Sequence, residues 1–460
     1  MANINKNVSK SIIVLLAIIF VLTSLRLLWF YIHHPSEQVL IEDGILDLSN
    51  SDVSNHITSL QGEWVFFPNQ FIYEADETNN IDMEMDESKT VVSDRTDEDT
   101  FQYGTYYTKI ILPEDTDLTQ LYSIRIPSMK TASALYVNGQ LKGQSGTVAA
   151  TENKHVGKGY PYVATFPVDS NEIEFVLQVS NFDTTQGIRL GSPIKFGLEK
   201  AIAKNKSFED ILLMSLVIIL VLHSIYSLLL FIITRKYVML FFAIGFLLPA
   251  IDELLTYNSA SMEWLGFNYE WSFKFKELVY LGAAFFLVQL MKNLLKDFKR
   301  YKRFRILAIL YAICAIFTLI LPINLLIQVN LFFFIVYFIS FVAVIPLAMK
   351  EYFTFNDESF YIAIVIVGVT SGITWGLIKA ILPMDIPFYP FDYLVAFLGF
   401  AFFWFKRFYR QNKQVVELVD KLEAEDKNKD KFLANTSHEL RNPLHGIINI
   451  AQTMIDDSVY

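Results

Sequence analysis

Near the C-terminal end, residues 432–444 read FLANTSHELRNPL, in which a histidine is followed at once by an acid and, one helical turn later, by an amide. Set on a helix at about 100° per residue, Leu433, Thr436, Leu440, Leu444, Ile447, Ala451 and Met454 fall within roughly 40° of one line. That alternation of three and four predicts a seam for another helix. His438 lies roughly 160° from the seam, on the solvent side, with Asn442 and His445 sharing its face. An ordinary imidazole titrates near about pH 6.5, so at neutral pH one ring nitrogen keeps a free lone pair. Such a nitrogen attacks a phosphoryl group when a neighbour orients the ring and balances its other proton. Glu439 is placed to fix the tautomer and stabilise the imidazolium. Asn442, at i+4, can hydrogen-bond a phosphoryl group or an attacking water. Pro443 lacks a backbone donor and predicts a bend just past the histidine. Spacing alone also fits a surface histidine on an amphipathic bundle helix.

The ordered run S-H-E-L-R-N-P-L, preceded by K-F-L-A-N, resembles the phosphoacceptor box of sensor histidine kinases. The resemblance implies that His438 is the phosphorylated histidine and Glu439 its acidic partner. Asn442 then corresponds to the polar residue used when such proteins dephosphorylate their response regulator. His445 lacks a following acid and lies outside the box, so it reads as a surface residue. A homodimer, a response regulator as partner, and ATP with Mg2+ for the complete kinase follow from the same resemblance. After Gly399 the next glycine is Gly446, inside the predicted helix, so no glycine-rich phosphate loop follows the box. The nucleotide site is therefore expected outside this chain, with the sequence cut short or the rest supplied by another polypeptide. No metal site and no nucleic-acid partner are expected.

The elements that must present this helix are membranous. Of the residues, 53% are hydrophobic, 40 of them Phe, and mean hydropathy is +0.35, too apolar for an ordinary soluble chain of 460 residues. Lys6 and Lys10 precede an apolar run over 11–32 interrupted by Arg26, with no small-residue cleavage site after it. It reads as an uncleaved anchor with a cytoplasmic N-terminus, and Arg26 as a snorkelling side chain or a tolerated cost. Seven further apolar runs follow at 211–234, 237–255, 276–295, 306–321, 325–349, 360–382 and 388–405. Arg235 and Lys236 separate the first two, and residues 292–305 hold seven Lys/Arg against Asp297, whereas 256–272, 322–324 and 383–392 hold none. The alternation predicts eight spans, with both termini on the cytoplasmic side of a bacterial plasma membrane. Asp252, Glu253, Lys276, Glu277 and Lys379 gather near the outer ends, as a pocket or a structural ion-pair set. His223 is expected to bond a neighbouring helix. The spans alone would also suit a transporter, which leaves the phosphoacceptor box without a role.

Between anchor and bundle the period changes to two. Residues 122–126 alternate strictly, as do 173–179, and 135–137 lead into Asn138-Gly139, a two-residue hairpin signal. Short strands bounded by turn residues predict a β-sandwich. The phrases L-Q-G-E-W-V-F, G-T-Y-Y, L-Y-V-N-G and L-Q-V-S-N resemble a galactose-binding-like jelly roll, which implies a glycan or other small-molecule ligand. Tyr160, Tyr162 and Phe166 are expected to fill its core rather than stack on a sugar. Residues 74–99 carry eleven acids against Lys89 and Arg95, which accounts for nearly all of the net charge of −10. They read as a mobile solvated insertion rather than a calcium loop. The single cysteine, Cys314, excludes an intrachain disulfide.

The expected fold class is thus a multidomain membrane protein. Its parts are a cytoplasmic N-terminus (1–10), a transmembrane anchor (11–32), an extracytoplasmic all-β jelly-roll sandwich (40–200, insertion 74–99) and a seven-helix transmembrane bundle (208–406). A coiled-coil linker (407–431), with Val415, Leu418, Val419 and Leu422 as its stripe and a charged run at 425–431 that interrupts the stripe, leads to a partial dimerisation and phosphoacceptor segment (432–460). That order resembles the bacterial seven-transmembrane receptors with diverse intracellular signalling modules. The expected function is a sensor histidine kinase contacting membrane lipids; the alternative is a non-enzymatic receptor whose tail works with a separate kinase.

Overall fold

The computed structural model describes residues 2–33, 39–53, 56–73, 90–93, 101–129, 131–184, 193–257, 266–294, 302–354, 358–381 and 388–457. Among the described residues the alternating segments form eleven strands: β1 (Ile45–Asp47), β2 (Thr58–Leu60), β3 (Glu63–Pro68), β4 (Thr90–Ser93), β5 (Tyr103–Ile111), β6 (Leu121–Ile126), β7 (Ala132–Val137), β8 (Gln140–Ser145), β9 (Tyr162–Pro167), β10 (Glu172–Ser180) and β11 (Ile194–Leu198). One sheet runs β4-β3-β5-β10-β7-β8, and β1 pairs parallel with the far end of β5; the other runs β2-β11-β6-β9. Period two explains the layering. Ile173, Phe175, Leu177 and Val179 of β10 face the inner core with Trp64, Phe66, Ile124 and Phe196, while Val176 turns outward onto Phe67 and Ile72. Asn138 and Gly139 both have positive φ, 46° and 76°, and close the β7–β8 hairpin as a turn whose twist matches the strands.

Of the three aromatics assigned to this core, Phe166 is in it and Tyr162 packs against it. Tyr160 is not: it joins Leu255, Val279 and Phe275 of the helices, and its hydroxyl donates to the Phe267 carbonyl at 3.4 Å. An exposed loop side chain finds apolar cover wherever the chain lands, and here that is the bundle. Most of the acidic insertion lies outside the described residues, but within it residues 90–93 form β4, paired to β3 in register Trp64↔Val92. The β-branched pair Val91-Val92 extends the sheet despite the surrounding charge.

The remainder is helical: α1 (Ala2–His33), α2 (Glu199–Thr234), α3 (Tyr237–Tyr257), α4 (Tyr269–Leu294), α5 (Lys302–Ile320), α6 (Ile323–Thr354), α7 (Glu358–Ile381) and α8 (Phe391–Asp457). By length and composition, four stretches among the described residues are able to cross a membrane: Leu16–His33, Glu199–Thr234, Tyr237–Leu255 and Ile323–Ser340. Arg305–Ile320 and Phe360–Gly376 are shorter apolar helical stretches. The helices share a core of Phe242, Tyr311, Phe333, Ile366 and Phe400. Two glycines let α7 and α8 meet closely. A Cβ on Gly368 would lie 2.7 Å from the Asp392 carbonyl oxygen, and one on Gly399 would lie 3.0 Å from the Ile364 side chain.

Candidate functional site

His438, Glu439 and Asn442 lie on α8, a helix of 67 residues that runs about 100 Å without a break. The His438 side chain is outside the described residues. Glu439, Asn442 and His445 are exposed, and helix geometry puts Asn442 one turn beyond His438. Leu433, Leu440, Leu444, Ile447 and Met454 are each at least half exposed, so the predicted seam stands uncovered along one chain. The charged run at 425–431, which interrupts the apolar stripe of the linker, is itself helical. Its Glu, Lys and Asp residues are compatible with a helix, and opposite charges at i,i+4, such as Glu425 and Lys429, favour it. The helix also continues through Pro443.

The upper end of α8 is held by a contact that sequence reasoning missed. Asp392, fully buried, pairs with the Arg26 guanidinium of α1 and accepts from Ser371 Oγ of α7 at 3.1 Å. The guanidinium lies 4.0 Å from the Tyr389 ring centre and 5.4 Å from that of Trp375. Arg26 therefore neither snorkels nor stands as a bare cost. In an apolar medium a buried counter-ion at that depth is the cheaper solution. The available signal was a lone cation in one apolar run and a lone acid opening another. Beside this pair, Trp29 meets Phe208 of α2 and Phe391 of α8 at 5.9 and 5.6 Å between ring centres.

The sandwich is anchored to the same group of helices. Arg125 Nη1 lies 2.6 Å from Glu209 Oε2 of α2, and Lys195 lies 3.8 Å from the other oxygen. In the loop that carries Tyr160, His155 bridges Ser180 Oγ (Nδ1, 2.8 Å) and Asp183 Oδ2 (Nε2, 2.9 Å). The residue types suggest a hydrolytic triad, but Ser180 is fully buried and its hydroxyl also accepts from the Ala149 amide, so the trio is a latch on this loop. Where the sandwich meets α2, loops 49–53 and 113–120 enclose a polar hollow of about 510 Å3. On its rim, donation from Thr119 and Gln120 lowers the Asp117 carboxyl below its ordinary range.

Of the ionisable residues singled out from sequence, Asp252 lies close enough to Glu253, Lys276 and Glu277 for their charges to interact. Glu277 accepts from Tyr337 OH at 2.5 Å. Lys274, not singled out by sequence, pairs with Glu270 at 2.6 Å. The Lys379 side chain is outside the described residues. His223 bonds its own helix, Nδ1 to the Ile219 oxygen at 2.8 Å, rather than a neighbour. Its ring lies against Phe246 and Phe397, which offer no acceptor, so the carbonyl one turn back takes the proton. Among the described residues, no three His, Cys, Asp or Glu side chains group to hold a metal ion.

Residues 428–459 match the family described as His Kinase A (phospho-acceptor) domain. No curated protein matches the chain. Among solved structures, a β-glucuronidase from Ruminococcus gnavus in complex with C6-substituted uronic isofagomine is 15% identical, with 31% of this chain and 29% of that chain covered and a TM-score of 0.24. A putative β-galactosidase from Bacteroides fragilis is also 15% identical, with 31% and 23% covered and a TM-score of 0.22. The chain thus spans less than a third of either protein, and scores this low say nothing of its chemistry.

Proposed function

We propose that this chain is the sensing and phosphoaccepting part of a membrane histidine kinase of a two-component system, a seven-transmembrane receptor joined to a phosphoacceptor helix. The observation that carries the reading is continuity: the segment matching the phosphoacceptor domain sits on the same unbroken helix whose upper end is pinned inside the bundle. A rotation or shift of that upper end moves residue 438 as well, because no loop lies between them to absorb it.

In this reading the sandwich is extracytoplasmic, binds a small molecule or glycan, and passes its response to α2 through Arg125, Lys195 and Glu209. Clustering of the C-terminal end of α1 with the first turns of α2 and α8 supports a single outer face, with the basic loops within. His438 attacks the γ-phosphorus of ATP, held with Mg2+ by a catalytic domain outside these residues. The new N–P bond replaces the P–O bond to ADP, and Glu439 balances the imidazolium. The phosphoryl group then passes to a response-regulator aspartate, and Asn442 supports the reverse hydrolysis by placing water. Two copies bury the α8 seam against each other.

The test is to add a catalytic domain of a histidine kinase and labelled ATP to the purified chain in membranes. Acid-labile, alkali-stable label on the chain is expected. A chain that takes no label while folded, yet still holds the added domain, would instead be a docking receptor.

A further inference from the structure

At the opposite end from the Arg26 pair, a groove of about 840 Å3 runs between α2, α3 and α8. Its walls include Leu230, Met239, Phe400 and Trp404, and its deep end is His223. From His223 to Thr234 it follows α2 for about 16 Å, close to the roughly 15 Å hydrocarbon depth of one leaflet. Polarity changes abruptly at its mouth, where Lys236 and Arg407 line it and, among the described residues, no acid does. Arg407 is held over the Trp404 and Phe403 rings, 5.6 and 5.9 Å from their centres, and Lys236 is exposed. Arg235, Lys406 and Arg410 stand beside them in sequence.

An apolar slot one leaflet deep that ends in Lys236 and Arg407 is complementary to a lipid with an acyl chain and an anionic phosphate. We propose that this groove binds an anionic phospholipid of the cytoplasmic leaflet, its chain along α2 and its phosphate between Lys236 and Arg407. The inference rests on the reading that places this end of the bundle inside. One wall of the groove is α8 just before it leaves the bundle, so occupancy acts on the helix that carries residue 438. Lipid charge becomes an input beside the ligand of the sandwich.

Trp404 reports on the site directly. The full chain, with Cys314→Ser, is placed in phosphatidylcholine nanodiscs containing brominated phosphatidylglycerol or brominated phosphatidylcholine of the same chains. Its Trp404 signal is isolated by difference with Trp404→Phe. Quenching is expected at a lower mole fraction of the brominated phosphatidylglycerol, by up to about 30-fold if both cations hold the phosphate. A basic residue near an anionic surface favours binding about fivefold, so Lys236→Gln with Arg407→Gln should reduce the preference by up to about 30-fold. Equal quenching by the two lipids, or a preference that survives the double change, would overturn the proposal. Labelling of Gln411→Cys in intact cells separates the layers. Protection from an impermeant reagent together with equal quenching defeats the lipid site alone, whereas labelling from outside defeats the inner placement and with it the cytoplasmic leaflet.

Discussion

The pair between Arg26 and Asp392 makes a quantitative prediction. Arg26→Met keeps the length of the apolar stem but removes the guanidinium. Asp392, fully buried, is then left with the Ser371 hydroxyl, and its Oδ1 already lacks a partner among the described residues. Removing one partner of a buried pair costs about 3–5 kcal/mol, because the other charge stays desolvated. Loss of the stack on Tyr389 adds about 0.5–2 kcal/mol. Asp392→Asn should cost a similar amount by stranding the cation. The double change leaves no net charge behind, so it should cost less than the sum of the singles, by about 1–3 kcal/mol. Unfolding of the full chain in mixed micelles titrated with SDS, followed by tryptophan fluorescence, gives the four free energies of the cycle. Additivity within about 0.5 kcal/mol would refute the pairing, and with it the claim that α1 holds the head of α8.

Orientation is checked with single cysteines at Gln140 and Lys299 in a Cys314→Ser background: an impermeant reagent on intact cells is expected to reach position 140 and not 299, and the reverse would invert the topology. Pairing of chains along α8 predicts crosslinks for single cysteines at Leu418 and at Leu422 in membranes, since Val415, Leu418, Val419 and Leu422 are all exposed on one chain; a folded, inserted protein that crosslinks at neither would be monomeric there. The sandwich should be sensitive to alkali. Burial pushes Tyr107 up to about 12, with the nearby Glu174, Tyr73 and Glu172 adding to the shift, and burial raises Tyr162 as well. The folded form thus favours the neutral phenol, so this stability is complete below about pH 10 and is lost as pH rises through the folded value. Tyrosinate absorbance and protease cleavage within the sandwich should rise together above pH 10; tyrosinates forming first, with the sandwich still resistant, would contradict the assignment.

The parts legible from sequence are those governed by local period. Alternation at 173–179 gives β10 its two buried faces, Asn138-Gly139 gives the hairpin its positive φ angles, and the three-four seam from Leu433 onward lies on a real helix. What stayed hidden depends on partners distant in sequence. Arg26 and Asp392 are 366 residues apart, and only the packing of α1 beside α7 and α8 makes them a pair. Tyr160 offered no periodic cue to separate sandwich core from helix surface. The charge run at 425–431 interrupts the apolar stripe without ending the helix, since polarity alone does not end one; Gly, Pro or a competing cap does, and residues 425–431 contain neither Gly nor Pro. Conversely, Pro443 is passed without ending α8. The match of residues 428–459 to a phosphoacceptor domain was readable because residue type and order, rather than tertiary contact, carry it.

The most direct measurement is the position of the phosphoryl group. With an active histidine-kinase catalytic domain and labelled ATP supplied to the full chain in membranes, fragmentation that preserves the N–P bond should place the label on His438. His438→Gln should abolish it, His445→Gln should leave it intact, and Glu439→Gln should slow its appearance by about 10²–10⁴-fold, the range for a residue that assists proton transfer. Asn442→Ala should leave labelling in place and slow its loss to water when the response regulator is present. Label found on His445, or retained at full extent in His438→Gln, would contradict the account.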